Sequence, residues 1–540
     1  MPTHKKRPIQ EEEHTPRAKR NHTITSVQEE TPYQQLLRLQ NDHQPTTAGV
    51  EEDDPRDVVV YWMRMRDLRL ADNRALAIAS RFAKEHGKHL VVLHVLSPGD
   101  YRAHHRSPRR IDFLLRNLAL LQLRLNARNI PLWTTSIEPR LDIPNKIIHL
   151  LNDWGTSYLT ANIEHEVDEL RRDIQVLKLA RQHKIEIDFL HDTCLVEPGK
   201  VLTKENKPYS VFGPWQRNWA NLINGNLDAY VAAAPDCLPN NPNIRENEAL
   251  NKLFQCDVPS QLAGFELSPE DSQLLKQFLR APMKRETNGQ TFLSDKRGKG
   301  QQVEAAVQQY GTVRNRADLP GTSRLSAYLA AGVISPRACI RASFQASSDQ
   351  AKKPSASHAL QVEHRDSGIG VWQSELGWRD FYQHVLAAWP RVCMGKAFNQ
   401  KYESVVWEKD EEVLEKWKHG MTGYPFVDAC MRQLKHIGYM HNRGRMCVAM
   451  FLTKDLMMDW RLGEQWFMEH LVDGDLGSKW GFYECSNGGW QWSASTGTDA
   501  QPYFRIFAPL AQSEKADPEG TFIRQWVPEL ASNPGSADDQ

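Results

Sequence analysis

Two short stretches of the chain combine residue types that can do chemistry with a spacing that brings them together. The first, residues 372–382, reads WQSELGWRDFY. On a helix its Glu375, Trp378 and Arg379 stand at i, i+3 and i+4, and residues so spaced are neighbours on the helix surface. A carboxylate that can hold a proton, an aromatic ring and a cation would then share one face.

The second stretch, residues 439–446, reads YMHNRGRM and repeats this spacing with Asn442, Arg445 and Met446. Two helices that present Glu, Arg, Asn, Trp and Met to a common space indicate a lined pocket more than a packed core. Ten of the 16 tryptophans lie between residues 372 and 492. Tryptophan is usually structural, but this clustering beside polar residues also suggests a redox relay or a stacking platform.

Two further motifs suggest ligand contacts. Residues 320–326 (PGTSRLS) predict a turn that leads into a helix starting at Ser326. Hydroxyls and free backbone N–H groups at such a start suit a pyrophosphate, with Arg324 adding charge, although most clusters of this kind are ordinary helix caps. Asp473 and Asp475 lack a third ligand at regular spacing, so partnership with a buried arginine or a ring N–H is favoured over metal binding.

The elements that position these residues differ between the two halves of the chain. Apolar strands are predicted at 57–62, 89–96, 130–137, 157–163 and 185–189, with helices at 72–86, 109–128, 143–153 and 166–183 between them. Asp72 is the predicted cap of the first of these helices. Strands that alternate with helices imply an α/β fold, a doubly wound parallel sheet with helices on both faces. No GxGxxG follows a strand, so the dinucleotide fingerprint is missing.

The later part of the chain loses the strand pattern and predicts an all-α domain. The expected organisation is a disordered N-terminal tail, the α/β domain, a long connection crossing the surface, the helical domain and a short disordered tail, at residues 1–54, 55–190, 191–245, 246–530 and 531–540.

Composition narrows the class of protein. Lys and Arg together number 67 and equal Asp and Glu, so a nucleic-acid surface would have to be a local basic patch. The eight cysteines form no CxxC pair, which argues against a disulfide framework and a zinc site and fits a reducing compartment. No apolar run approaches the ~20 residues of a membrane span.

The predicted N-terminal tail carries two basic clusters. Residues 5–7 (KKR) and 17–20 (RAKR) have the spacing of a bipartite nuclear localisation signal. The alternative is a solvated charge run. Glu11–Glu13 interrupt the basic stretch, which makes a mitochondrial address the weaker alternative.

Taken together, the motifs identify a family resemblance. WQSELGWRDFY, GTSRLS, TGYPFVDACMRQL, MHNRGRM, DGDL, NGGWQW and TGTDAQPYFRIF occur in order within about residues 56–530. As a set they resemble the DNA photolyase/cryptochrome family, and most closely class I cyclobutane pyrimidine dimer photolyases of the fungal, folate-antenna type. The resemblance implies a Rossmann-like antenna domain joined to a helical domain that binds FAD.

The resemblance also implies roles for individual residues. It implies FAD contacts from Tyr310, Thr322, Ser323, Arg324, Leu325, Ser326, Trp372, Arg379, Asn442, Arg445, Asp473, Gly474 and Asp475. It implies catalytic contacts with the flipped dimer from Glu375, Asn442 and Met446. It implies an electron-transfer chain of Trp490, Trp460 and Trp407, and a 5,10-methenyltetrahydrofolate antenna at Asp168 and Glu169. It implies DNA contacts from Arg314, Glu375, Trp378, Tyr382, Asn442, Arg443, Met446, Trp492, Arg505 and Gln512.

The implied activity is light-driven repair of UV-damaged DNA. We expect a monomer that binds no metal, is not associated with a membrane and is located in the nucleus. Asn442 and Met446 favour dimer repair over the (6-4) photolyases, animal cryptochromes and DASH-type members. The alternative is a cryptochrome-type blue-light receptor, whose usual mark is a long C-terminal extension that this chain does not show. Two departures from the family pattern are an insertion at about residues 479–486 and the end of the chain at Gln540.

Overall fold

A five-stranded parallel sheet with helices on both faces forms the first part of the fold in the computed structural model. The structure describes residues 30–42, 56–279, 310–319, 321–350, 359–364, 367–475 and 506–531, and those from Thr31 onward belong to one compact unit. The strands are β1 Val58–Met63, β2 His89–Leu96, β3 Leu132–Ser136, β4 Thr156–Asn162 and β5 Glu186–Leu190. Their spatial order is β3-β2-β1-β4-β5.

The α-helices of the sheet-containing part alternate with the strands and continue beyond them. They are α1 Pro32–Asn41, α2 Arg74–Glu85, α3 Pro98–Ala103, α4 Pro108–Asn126, α5 Ile143–Asp153, α6 Val167–Gln182, α7 Phe212–Gly225, α8 Leu227–Val231, α9 Glu248–Lys252 and α10 Pro269–Leu279. The later α-helices are α11 Tyr310–Val313, α12 Ser326–Ala330, α13 Pro336–Gln350, α14 Gly368–Ala388, α15 Glu411–His419, α16 Pro425–Ile437, α17 Asn442–Met450, α18 Trp460–His470, α19 Pro509–Ala516 and α20 Thr521–Trp526.

Short 3-10 helices complete the described elements at Arg140–Asp142, Pro242–Arg245, Leu253–Gln255, Pro390–Met394, Gln400–Tyr402 and Pro528–Leu530, and a π-helical turn spans Phe451–Asp455. In the described part of the chain beyond residue 246 no strand is present. The predicted fold class, α/β followed by all-α, is confirmed. No helix among the described residues is long and apolar enough to cross a membrane.

Alternation along the strands explains why both faces of the sheet are covered. Val59 and Tyr61 of β1 point into a core shared with α2, α4 and the later helices. Val58 and Val60 point to the other face, against α5 and α6. Because the first core also contains Trp372 of α14, the sheet and the helical part share one continuous apolar interior.

Asp72 does not cap α2, so that prediction is wrong. Asn73 is the N-cap, and its side chain accepts a hydrogen bond from the Leu76 amide. Asp72 sits in the left-handed region at φ 52°, a conformation that Asp adopts more readily than most residues. Its carboxylate turns instead toward Ser335 and Arg337 at the start of α13.

The predicted N-terminal tail and the predicted surface connection also need correction. Residues 32–41 form a helix that starts with a capping box at Thr31 and buries Tyr33 and Leu36. Within 191–245, α7 wholly buries Trp215 and Trp219 against the rest of the protein. Neither the helix at residues 32–41 nor the burial of α7 was predicted, because both segments are polar in composition. A few apolar residues are enough to dock a short helix. The domain boundaries themselves stay predictions, and the basic clusters at 5–7 and 17–20 lie outside the described residues.

Candidate active site

Helix α14 provides the central wall of the candidate site. Ser367 caps it by accepting a hydrogen bond from the Gly370 amide, and nearly every one of its side chains is buried. Glu375 is completely shielded from solvent, and its carboxylate accepts a 2.8 Å charge-assisted hydrogen bond from Nη1 of Arg314. A buried carboxylate needs such a partner because burial removes its hydration. Arg314 itself follows α11, which packs against α14.

Glu375, Trp378 and Arg379 were expected on one face of the helix, but each contacts a different segment of the chain. Trp378 stacks on Phe212 of α7, with ring centroids 3.5 Å apart and an interplanar angle of 12°. Arg379 donates to the backbone oxygen of Thr193. The prediction of one shared face is therefore wrong in part, because a helix that is buried on all sides sends neighbouring side chains to different elements.

Helix α17 provides the second wall. His441 is its N-cap and accepts a hydrogen bond from the Arg443 amide, and burial lowers the pKa of His441 to about 4, so the ring is neutral. Nη2 of Arg443 donates to Asn315 Oδ1 over 2.6 Å. Residues 314 and 315 thus connect α14 to α17, which places the two predicted stretches around one space. Met446 on α17 is buried.

Two carboxylates, Asp473 and Asp475, lie at the end of the described range 367–475. Arg445 donates through Nη2 to Asp473 at 3.0 Å and through Nε to the Met440 oxygen at 2.8 Å. Asp475 forms an ion pair with Arg66, which also pairs with Glu166 at 2.7 Å. Both carboxylates therefore lie against buried arginines, one of the two kinds of partner that the sequence suggested. In the described part of the chain no group of His, Cys, Asp or Glu is arranged to hold a metal ion.

The predicted anion-binding turn lies beside this cluster. Burial raises the pKa of Tyr439, which Arg445 and the Thr322 side chain oppose, and the Tyr439 ring lies 5.5 Å from the Arg445 guanidinium. A side chain on Gly321 would place its Cβ 2.7 Å from the backbone oxygen of Val313, so only glycine fits this close approach. Leu325 and Tyr310 are buried, Thr322, Ser323 and Ser326 are half-buried, and Arg324 is exposed in the left-handed conformation. Gly474 accepts a hydrogen bond from Arg106 through its backbone oxygen.

An isoalloxazine and a pyrophosphate would need acceptors and cations that the protein leaves available. The Asn442 side-chain oxygen is buried without a hydrogen-bond partner among the described residues. Next to it lie the Arg445–Asp473 pair and the hydroxyl-bearing turn at 322–326. These residues fit a flavin dinucleotide chemically: a polar acceptor and a buried ion pair for ring N–H and carbonyl groups, and hydroxyls with Arg324 for phosphates.

The remaining predicted residues are placed as follows. Trp460 begins α18 and is wholly buried, with the Arg461 guanidinium 4.8 Å from its ring centroid. Trp407 is half-buried and packs against the apolar cluster that contains Trp460. Trp372, Tyr382 and Gln512 are buried in α14 and α19. The predictions for Trp490, Trp492, Arg505 and the insertion at 479–486 concern residues outside the described part of the chain.

The predicted antenna residues open α6. Asp168 pairs with Arg140 at 2.9 Å and lies 3.4 Å from His104 Nε2. Glu169 is buried and lines a small cavity at the carboxyl ends of β1, β2 and β4. Burial raises the pKa of the neighbouring Glu166 to about 7, and Arg66 opposes that rise. Ligands of open parallel sheets sit beyond the carboxyl ends of the strands, where these side chains lie.

Comparison with known proteins decides the family. The model of the FAD binding domain of DNA photolyase matches residues 372–538, and the DNA photolyase model matches residues 59–236. A deoxyribodipyrimidine photo-lyase of Neurospora crassa is 41% identical over 90% of this chain and 75% of its own length. The chain belongs to the DNA photolyase/cryptochrome family. A deoxyribodipyrimidine photo-lyase of Escherichia coli is 35% identical to this family member, over 88% and 90% of the two chains.

Solved structures give the same fold for this photolyase/cryptochrome family member. A bacterial class III photolyase from Agrobacterium tumefaciens superposes with a TM-score of 0.67 at 28% identity and covers 88% of this chain and 87% of that one. A Synechocystis cryptochrome, at 24% identity and a TM-score of 0.63, shares the fold. FAD is the cofactor that the matching domain model implies.

Several partners of the site were not found from the sequence. Arg66, Phe212, Thr193 and Asn315 each meet a predicted residue that is distant in the chain or on another element. No local pattern marks them, since their chemistry depends on a contact between segments. His441 had no local signal either, because Ser, Thr, Asp and Asn are the residues that mark an N-cap in a sequence.

Proposed function

We propose that the chain is a deoxyribodipyrimidine photo-lyase that uses blue light and reduced FAD to split cyclobutane pyrimidine dimers in UV-damaged DNA. Curated proteins with that name are 31–41% identical to it. The observation that carries the proposal is the Arg314–Asn315 link, because it sets the buried carboxylate of Glu375 and the helix of Asn442 and Met446 around one space.

The side chains around this space would recognise a dimer that has left the base stack. Glu375 hydrogen-bonds the dimer and protonates or polarises its pyrimidine carbonyls, and Asn442 and Met446 contact the two rings. Trp378 and Trp492 form an aromatic wall. A damaged, poorly stacked pair costs less to extrude than an intact one, and an aromatic pocket recovers part of the lost stacking. Arg314, Arg443, Arg505 and Gln512, with Tyr382 beside them, bind the damaged strand.

We propose that FAD binds next to this space. Thr322, Ser323, Arg324, Leu325 and Ser326 hold the phosphates and ribityl chain together with Tyr310. Trp372, Arg379, Asn442, Arg445, Asp473, Gly474 and Asp475 hold the rings. When bound, FAD supplies light absorption and the transferable electron. The protein orients the dimer, excludes water and keeps Arg445 and Asp473 paired beside the rings.

Two further assignments accompany this function. Trp407, Trp460 and Trp490 form an electron path from the surface to the flavin. Asp168 and Glu169 bind 5,10-methenyltetrahydrofolate as an antenna, since both lie in the first turn of α6, near the cavity at the carboxyl ends of the strands. We further propose that the protein acts as a metal-free monomer in the nucleus. An absorption spectrum of the purified protein would test the cofactors, because folate adds a violet band to that of the flavin.

Repair of irradiated oligothymidine tests the function. With chemically reduced FAD bound, blue light should restore the absorbance of the thymine band, and darkness should not. Glu375→Ala should lower the repair yield while retaining FAD, because it removes the group that hydrogen-bonds and polarises the pyrimidine carbonyls. A protein that binds reduced FAD but restores no absorbance would contradict the repair function and favour the blue-light receptor.

A further inference from the structure

The loop that follows β1, residues 64–69, reaches from the sheet to the helical part of the protein. Its Leu68 amide donates to the backbone oxygen of Ala331 at 3.1 Å. A Cβ on Gly332, which has φ 65°, would lie 1.6 Å from the backbone oxygen of Arg66, so only glycine permits this close approach. The loop therefore packs directly against the end of α12, the helix that starts at the proposed phosphate-binding turn.

The Arg66 side chain continues from this loop to a carboxylate of the proposed flavin site. It is buried and forms ion pairs with the buried carboxylates of Asp475 and of Glu166, the latter at 2.7 Å. Burial lowers the pKa of Arg66, but the two carboxylates outweigh burial and raise it above its ordinary value, so the guanidinium stays charged. A planar guanidinium presents its donors in fixed directions. The ion pair therefore fixes the orientation of the Asp475 carboxylate and favours its ionised form.

The two carboxylates proposed to face the flavin rings are thus held from different parts of the protein. Asp473 accepts from Nη2 of Arg445 at 3.0 Å, and Arg445 belongs to α17 of the helical part. Asp475 pairs with Arg66, which belongs to the loop after β1. Under the proposed function, on which this inference rests, both carboxylates contact the rings. The sheet-containing part of the protein then contributes to the flavin site, although none of its residues was predicted to contact FAD.

We propose that Arg66 is a positioning residue for FAD, which holds Asp475 oriented and ionised and so makes the flavin site depend on the packing of the β1 loop against the helical part. Arg66 acts through Asp475 rather than on the cofactor itself. An acceptor that is already oriented costs less conformational entropy when a ligand binds. A charged acceptor also forms a stronger hydrogen bond with a ring N–H than a neutral one does.

Arg64 of the same loop provides a matched comparison. It is buried and pairs with Asp173 of α6 at 3.0 Å, and its guanidinium carbon lies 3.4 Å from the ring centroid of Trp62. These two partners belong to α6 and β1, not to the proposed flavin site. Arg64 and Arg66 are both buried members of ion pairs, so substitution of either removes a similar interaction from the fold.

Equilibrium dialysis of the full-length protein against a series of FAD concentrations tests this role, with the visible absorption band of the bound flavin as a second measurement. Arg66→Gln should lower the affinity for FAD about tenfold or more and shift the flavin band, because the rings lose an oriented, charged acceptor. Arg66→Lys keeps the charge but not the planar donors, so it should lose less affinity. Arg64→Gln should lower the stability to urea and leave the affinity and the band unchanged.

A double-mutant cycle with Asp475→Asn separates positioning from a general effect on the fold. If Arg66 acts through Asp475, Arg66→Gln should lower the FAD affinity by less than about twofold in the Asp475→Asn background. A merely structural role would lower the affinity equally in both backgrounds. If Arg66→Gln does not fold, Arg66→Lys is compared in the same two backgrounds and decides between the same outcomes.

Three results would overturn the role of Arg66. They are a wild-type FAD affinity and flavin band in Arg66→Gln, an equal loss of affinity in both backgrounds, and an equal loss in Arg64→Gln and Arg66→Gln. Repair of irradiated oligothymidine by the wild type reports separately on the proposed function. A protein that repairs dimers but fails these binding tests loses only the positioning role, and one that passes them but repairs nothing loses only the repair function. A wild type that binds no FAD overturns both.

Discussion

Substitution of Asp72 by Asn should destabilise the protein by an amount that the structure allows to be estimated. The Asp72 carboxylate is buried and accepts hydrogen bonds from Ser335, from Arg337 Nε at 3.0 Å and from Arg341 Nη2 at 2.8 Å. It also accepts from the Ala234 amide at 2.8 Å. These contacts tie the start of α2 to α13, and Asn keeps the side-chain shape and tolerates the positive φ.

The magnitude follows from the pKa of Asp72. Although burial itself raises it, the Arg337 guanidinium and the hydrogen bonds outweigh burial and lower the pKa from 3.8 to about 2. A difference of this size corresponds to about 2 kcal/mol of stability in the ionised state. For a chain of 540 residues the entropy of unfolding is roughly 1 kcal/mol per kelvin, so the melting temperature should fall by about 2 °C.

The pH dependence supplies the decisive measurement. A carboxylate with a depressed folded-state pKa contributes stability that is fully present above its unfolded pKa and is lost as the pH falls through the folded value. The difference between wild type and Asp72→Asn should therefore be constant above about pH 4 and shrink toward pH 2, as measured by urea unfolding. Asp72→Ala should lose more than Asp72→Asn, because alanine disfavours φ 52°.

Equal stability of wild type and Asp72→Asn at pH 7 would refute this reasoning. So would a difference that persists undiminished at the lowest pH at which the wild type folds. Arg341→Gln in both backgrounds tests the same contact independently. If Asp72 and Arg341 act together, the effects of the two substitutions should not add.

Substitutions at three other residues test further features of the structure. Tyr33→Ala should cost about 3 kcal/mol in urea unfolding by removing the anchor of α1. Tyr33→Phe should cost only about 1 kcal/mol, because it removes just the hydroxyl, which hydrogen-bonds the Pro198 oxygen and His191 Nε2. Equal losses would contradict this. Burial lowers the pKa of His384 to about 4, so the protein loses stability as the pH falls below the ordinary value of 6.5, where only the unfolded chain takes up the proton. His384→Gln should remove roughly 2 kcal/mol of the stability that the wild type loses between pH 7 and pH 5. An unchanged dependence of stability on pH would count against His384 as its cause. Trp460→Phe should block photoreduction of oxidised flavin yet spare repair by chemically reduced protein, and surviving photoreduction would remove Trp460 from the electron path.

The sequence by itself determined the elements and the family. Strands β1, β2, β4 and β5 and helices α5 and α6 begin and end close to their predicted positions, because their apolar periodicity and caps are local properties. The residue types of the site were also readable, since helix spacing alone brings a carboxylate and an amide into their stretches. Helix α1 escaped prediction because two buried side chains, Tyr33 and Leu36, dock an otherwise polar segment.

Only the tertiary structure decided which residue each side chain meets. Glu375 and Arg314 are 61 positions apart, and Asp72 and Arg337 are 265 positions apart. Local patterns carry no information about such pairs, since their energy arises from burial that exists only after the segments have packed. Asp72, a predicted cap, is the acceptor of a buried network, and Arg314, a predicted phosphate contact, pairs with Glu375.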